Sequence, residues 1–169
     1  MPVILRPVEL TDVEGIRSIY NTEVLDSTVT MDLVPRTVES QRQWIQAHQG
    51  AHGAIVAVET PVGGGADQIL GFASISPYRS RPGYSTTVEN SVYVHREHQN
   101  RGLGRLLLDD VLHLAEESGF HSCVARILAG HEASIRLHAS RGFDLVGVER
   151  EVGRKFGRWI DITLMQKLF

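Results

Sequence analysis

Ser91-Val92-Tyr93-Val94-His95-Arg96-Glu97-His98-Gln99-Asn100-Arg101-Gly102-Leu103-Gly104-Arg105 is the stretch that organises this chain. Its first residues continue an alternation that begins at Thr86, with Val88, Asn90, Val92 and Val94 on one side and Thr87, Glu89, Ser91 and Tyr93 on the other. That is the period of a β-strand with one polar face. After a short polar loop, Leu103, Leu107, Val111 and Leu114 recur at helical steps, flanked by Leu106, Leu108, Leu112 and Ala115, up to a stop at Gly119. Strand, loop with two spaced glycines, and helix therefore follow in order. The first turn of a helix has unpaired backbone N–H groups and a partial positive charge, and glycines let a phosphate come close to them. Arg101 and Arg105 add cationic donors. A dinucleotide fingerprint would need a third glycine where Leu107 stands and would follow the first strand of the chain, so that reading fails.

On either side the alternation of element types continues. Val3-Ile4-Leu5 predicts a short strand, and Asp12 offers a cap to a helix carrying Val13, Ile16, Ile19 and Tyr20. A second helix is expected over 38–48, with Trp44 as a packing residue. Residues 54–58 and 69–75 are apolar runs of strand length, and Pro61-Val62-Gly63-Gly64-Gly65-Ala66-Asp67 between them reads as a hairpin tip. Beyond Gly119 the pattern predicts a strand over 123–127, a helix from His131 to Ser140 ended by Gly142, a short strand over 145–148 and a last strand over 159–168. Trp159 and Asp161 on that strand suit either core packing or a subunit contact. No linker or repeat divides the chain, so residues 1–169 are expected to form one mixed α/β domain.

Composition narrows the function classes. The chain has 169 residues, 42% apolar and 22% charged, with a net charge of −3. These values suit one soluble domain with small-molecule partners and give no basic footprint for nucleic acid. No apolar run approaches the ~20 residues of a membrane helix, and the N-terminus lacks the pattern of a signal peptide, so the cytoplasm is expected. One cysteine, Cys123, allows no internal disulfide. Of eight histidines, His48/His52 and His95/His98 are close pairs, but no acidic or cysteine ligand completes either, so no metal is expected.

Gln99-Asn100-Arg101-Gly102-Leu103-Gly104 resembles the acetyl-CoA loop of the GNAT N-acetyltransferase superfamily. Three further blocks are similar to its phosphinothricin and methionine sulfoximine acetyltransferase branch. They are Thr87 to His95, Ala133 to His138 with Gly142-Phe143, and Val152 to Asp161. The resemblance implies an α+β fold with a mixed, mostly antiparallel sheet of six to seven strands, a splayed central strand pair and about four helices. It implies acetyl-CoA as donor, with Val92, Tyr93 and Val94 pairing with the pantetheine arm like an added strand and Gln99, Asn100, Arg101, Gly102, Leu103, Gly104 and Arg105 taking the pyrophosphate. His131, where relatives usually carry Asn, and Ser134 would lie along the same arm. Glu89 would be the base that draws a proton from the amine, and His138 the acid for the departing thiolate. Arg79, Arg81, Pro82, Gly83 and Tyr84 would recognise the substrate together with Glu89, the arginine forks binding a carboxylate or phosphinate. Residues 21–32 would form the other wall, and a homodimer is expected. The implied reaction is direct acetylation of the α-amine of a small amino acid or toxic analogue. The alternatives are another amine (a polyamine, an aminoglycoside or a protein N-terminus) and a non-catalytic acetyl-CoA sensor.

Overall fold

The described residues form seven strands and four α-helices: β1 (Ile4–Pro7), α1 (Val13–Asp26), α2 (Val38–Ala47), β2 (Ala54–Glu59), β3 (Gln68–Pro77), β4 (Thr87–Val94), α3 (Leu103–Glu117), β5 (Ser122–Leu128), α4 (Glu132–Ala139), β6 (Asp144–Lys155) and β7 (Arg158–Leu168). The structure, a computed structural model, describes residues 2–169. The strands form one sheet in the order β1-β2-β3-β4-β5-β7-β6. Every neighbouring pair is antiparallel except β4 and β5, which α3 joins as a crossover.

Each face of the sheet is covered, which is why the inner strands read as nearly continuous apolar runs. On one face Leu103, Leu107, Leu108, Val111, Leu112 and Ala115 of α3 pack against Ala73, Ile75, Val88, Cys123, Ala125 and Ile127. On the other, Ile16, Ile19, Tyr20 and Val24 of α1 and Ile45 of α2 pack against Val56, Val58 and Phe72. Trp44 stacks on His48 and meets Phe72 edge-on, in the packing role expected of it. At Gly71 α3 comes close to the sheet. A Cβ there would stand 2.7 Å from the Tyr93 carbonyl, 3.2 Å from Val94 Cα and 3.1 Å from Leu107. Because two of these neighbours are backbone, Gly71→Ala is expected to destabilise the protein by about 1–3 kcal/mol, read as a lower Tm in thermal unfolding.

The connection between α1 and α2 is tied at several points. The Asn21 side chain exchanges hydrogen bonds with both backbone groups of Arg36 (2.9 and 2.8 Å), and the Arg36 guanidinium lies 3.7 Å over the Tyr20 ring. From the far side of the sheet, the buried Lys155 ammonium donates to the carbonyl of Thr30 at 2.8 Å and reaches that of Glu23 at 3.4 Å. The end of β6 thus fixes the segment that follows α1.

β6 is three times the expected 145–148. It pairs with β7 to Lys155 through register irregularities at Leu145/Gly147 and Glu149/Gly153. The bulged stretch is held by Asp161, whose carboxylate accepts the Glu151 N–H at 2.8 Å. Phe156 and Gly157, both at positive φ, then turn the chain back into β7. Trp159 is 61% exposed, so core packing is not its role.

Candidate active site

β4 and β5 run together for three residue pairs only, Thr87 to Glu89 against Ser122 to Val124. Beyond Glu89 they part, while the opposite edge of β4 stays paired with β3 as far as Val94. The backbone of Asn90 to Val94 therefore faces a gap on the β5 side, as the expected splay requires. Asn90 marks the fork: its side-chain Nδ2–H donates to the Val124 carbonyl at 3.3 Å, where a ladder bond would otherwise lie. The gap opens into a cavity of about 900 Å³.

At one end of the cavity is the start of α3. Asn100 (φ 61°) and Gly102 (φ 80°) both take the left-handed conformation, and the first helical bond is Arg105 N–H to the Gly102 carbonyl at 3.1 Å. The amides of Leu103 and Gly104 precede that bond and are the orphan donors of the helix start. Val92, Tyr93, Val94, Gln99, Asn100, Gly102, Leu103, Gly104, Arg105, His131 and Ser134 all line this cavity. The Arg101 side chain does not. It turns to Glu59 (3.7 Å) and His98 (2.8 Å), so Arg101 adds no side-chain donor to the loop. Tyr93 contributes backbone, because its ring is packed between Phe72 and Tyr20.

The other end holds the carboxylates. Glu23, Asp32 and Glu89 face inward, with Val29, Thr30 and Met31, so residues 21–32 supply a wall as expected. Glu23 is held by Arg96 at 2.8 Å and by Ser27; Asp32 accepts a short hydrogen bond from Tyr20. The Glu89 side chain has no hydrogen bond or ion pair among the described residues. Burial raises its carboxyl above the usual range, Arg126 opposes that shift, and Glu149 adds to it. Arg126 and Glu149 themselves pair at 2.6 Å.

His138 is deeply buried and engaged at both ring nitrogens. Nδ1 lies 2.8 Å from the Ser134 carbonyl and Nε2 2.9 Å from Asn90 Oδ1; both oxygens are acceptors, so the single N–H of a neutral ring donates to one of them. Burial lowers its pKa, so the ring is neutral at pH 7. Burial also pushes the Cys123 thiol up to about 11, which leaves it unfit as an acyl carrier.

The segment 79–84 lies elsewhere. Pro77 pairs with Val88, and Tyr78 N–H reaches the Thr87 carbonyl, so this connection leaves the sheet at the closed end of the fork. Arg79 lies over the Tyr78 and Tyr84 rings, and Arg79, Arg81, Pro82, Gly83 and Tyr84 are all exposed. None of them lines the cavity. A stretch adjacent to Glu89 in sequence is thus carried away from it by the strand direction. Asn90, Arg126 and Lys155 shape the site and were not singled out by sequence. Arg126 alone had a signal, as a charge inside the apolar run from Cys123 to Leu128.

The model of the acetyltransferase (GNAT) domain family matches residues 5–164. The chain belongs to the GNAT acetyltransferase family. This GNAT enzyme is 38% identical over 165 residues to a phosphinothricin N-acetyltransferase of Streptomyces coelicolor, covering 96% of its own length and 94% of the relative's. It is 39% identical over 165 residues to an L-methionine sulfoximine/L-methionine sulfone acetyltransferase of Salmonella typhimurium, covering 96% and 92%. A phosphinothricin acetyltransferase of the GNAT superfamily from Sinorhizobium meliloti, solved in complex with acetyl-CoA, matches with a TM-score of 0.91 at 30% identity, over 100% of this chain and 89% of that one. The GNAT protein is therefore an N-acetyltransferase, with acetyl-CoA as its donor. Its own residues fit that donor: an unpaired strand edge for an arm of amides, and a left-handed glycine with free helix-start amides for a pyrophosphate.

Proposed function

We propose that this enzyme acetylates the α-amine of a small amino acid or toxic amino-acid analogue of the phosphinothricin, methionine sulfoximine or methionine sulfone class, a detoxifying reaction of the cytoplasm that would confer resistance to such a herbicide. Residues 1–169 act as one catalytic domain. The observation that carries the reading is Glu89: of the four carboxylates that line the cavity, Glu23 and Asp32 are held by partners and Glu132 is exposed at the start of α4, whereas Glu89 is half-buried, has no side-chain hydrogen bond or ion pair among the described residues, and sits at the fork of β4 and β5. The relatives' names supply the substrate class.

Acetyl-CoA supplies an activated acetyl carbonyl with a thiolate leaving group. An α-amine with a pKa of about 7.7–8.0 is mostly protonated at neutrality, and Glu89 takes that proton directly or through water. As the C–N bond forms, backbone N–H groups on the open edge of β4 receive the charge on the carbonyl oxygen. The C–S bond then breaks, and the second amine proton leaves to solvent. His138, whose Nε2 is within hydrogen-bond distance of Asn90 Oδ1, serves in this scheme by positioning Asn90 and hence the fork. A thiolate with a pKa of about 8.5 needs no stronger acid than water in the open cavity. His131, whose Nε2 is 3.4 Å from the Thr28 hydroxyl, joins the donor arm to the 21–32 wall.

The test is thiol release from acetyl-CoA against amino acids, methionine sulfone, methionine sulfoximine, phosphinothricin, spermidine and an aminoglycoside. Turnover confined to the amino-acid analogues is expected. Release with spermidine or the aminoglycoside alone would transfer the enzyme to the polyamine or aminoglycoside class, and binding of acetyl-CoA without any release would make it a sensor.

The enzyme works as a homodimer in this reading. The outer edge of β6 shows Leu145, Val146, Val148 and Val152 at 52–64% exposure, next to Trp159. An exposed apolar edge strand of this length is a template for pairing. Val148→Glu is expected to give a monomer by analytical ultracentrifugation at concentrations where the parent sediments as a dimer.

A further inference from the structure

Arg126 is a cation in the middle of a sheet. Its neighbours Ala125 and Ile127 point into the core under α3, so Arg126 projects from the opposite face, beside the fork that Glu89 closes. A charge in that position needs a partner. It has half of one: Nη2 meets Glu149 at 2.6 Å, while Nη1 and Nε have no partner among the described residues. The Arg126 side chain keeps 30% exposure and lines the cavity. The other cations nearby are committed elsewhere. Arg96 holds Glu23, Lys155 is buried against two carbonyls, and Arg105 stands at the far end beside Asp109.

We infer that Arg126 is the specificity residue that anchors the acidic group borne on the same carbon as the reacting amine, with Glu149 as its orienting partner. The inference rests on the amino-acid reading above and adds the residue that enforces it. Glu89 is in register with Val124, and Arg126 is two residues further along β5, about 6.6 Å at strand rise. An α-amino acid carries its amine and carboxylate on one carbon, so a single molecule at the fork can present the first to Glu89 and the second to Arg126. The free side of the guanidinium can take a carboxylate through two parallel N–H bonds. Glu149 has a second effect. By drawing Arg126 towards β6 it keeps Arg126 and Glu89 from closing on each other, so the base and the anchor both stay open to substrate.

Steady-state kinetics on methionine sulfone and on its carboxamide, which keeps the amine and loses the acid, test this. The parent enzyme is expected to favour the acid at least tenfold in kcat/KM. In Arg126→Met the KM for the acid should rise at least twentyfold, the preference should fall at least tenfold, and KM for acetyl-CoA should hold within twofold as a check on folding. Arg126→Lys should recover part of the preference. Equal losses on acid and carboxamide, or no loss on either, would overturn the assignment while leaving the amino-acid reading in place. A parent enzyme that acetylates neither compound yet turns over other amines would instead overturn that reading, and this inference with it.

Discussion

Glu89→Gln is expected to lower kcat by about two orders of magnitude or more while KM for acetyl-CoA stays nearly unchanged. Glutamine preserves the shape of the side chain in the half-buried site and removes only its ability to accept a proton. Since Glu89 has no structural hydrogen bond to lose among the described residues, the variant should fold normally. The pH dependence follows from the position of the carboxyl. Burial is the largest influence on it and raises its pKa; the positive Arg126 lowers it, and the negative Glu149 raises it. The base acts as carboxylate, so kcat/KM for the amine should climb with pH through a value above the usual range for glutamate and level off beyond it. Below that value the acid form accumulates and activity declines. The acidic limb should disappear in Glu89→Gln and stay in place in a His138→Asn variant, because His138 acts through Asn90 and does not take the amine proton. An unaltered rate in Glu89→Gln would remove Glu89 from the mechanism.

The sequence was most informative where one local rule decided the outcome. Helix α3 has an apolar face from Leu103 to Ala115 and glycines at its start, so its limits and its anion-facing terminus were legible from spacing alone. Glu89 and Asn90 could be assigned to opposite sides of β4 by alternation. The 79–84 segment does not line the cavity because proximity along the chain to Glu89 says nothing about which end of β4 the connection leaves. The pairing of Pro77 with Val88 settles that, and pairing is a long-range property. The Arg101 side chain turns from the loop for a related reason: its partner Glu59 lies on β2, 42 positions earlier (101 − 59). The length of β6 was hidden by a bulge that Asp161 holds from the next strand. Asn90 and Arg126 gained meaning only when the fork put them at its mouth, since a polar residue in a strand is ordinarily a solvated one.

Gly102→Val should weaken acetyl-CoA binding by tenfold or more, with a smaller loss of stability. Two effects combine at this residue. Its φ of 80° is accessible to glycine at no cost, but a side chain there costs roughly 1–2 kcal/mol, and more when β-branched. The new Cβ has room, with nothing within 4 Å of it, so the protein itself raises no clash. That open space is the approach to the amides of Leu103 and Gly104, and the two methyl groups of valine would occupy it where a pyrophosphate must come to hydrogen-bond distance. Gly102→Ala separates the two effects, since it imposes most of the backbone strain and little of the bulk: it should lose stability comparably but affinity less. Gly104→Ala is the contrasting case. Its φ is ordinary, and an added Cβ would meet Leu137 at 3.5 Å and Val94 at 3.8 Å, normal contact distances, so a milder effect on both readouts is expected. Calorimetric titration with acetyl-CoA, set beside thermal unfolding of each variant, distinguishes these outcomes. If Gly102→Val bound acetyl-CoA with the affinity of the parent, the start of α3 would not be where the pyrophosphate sits.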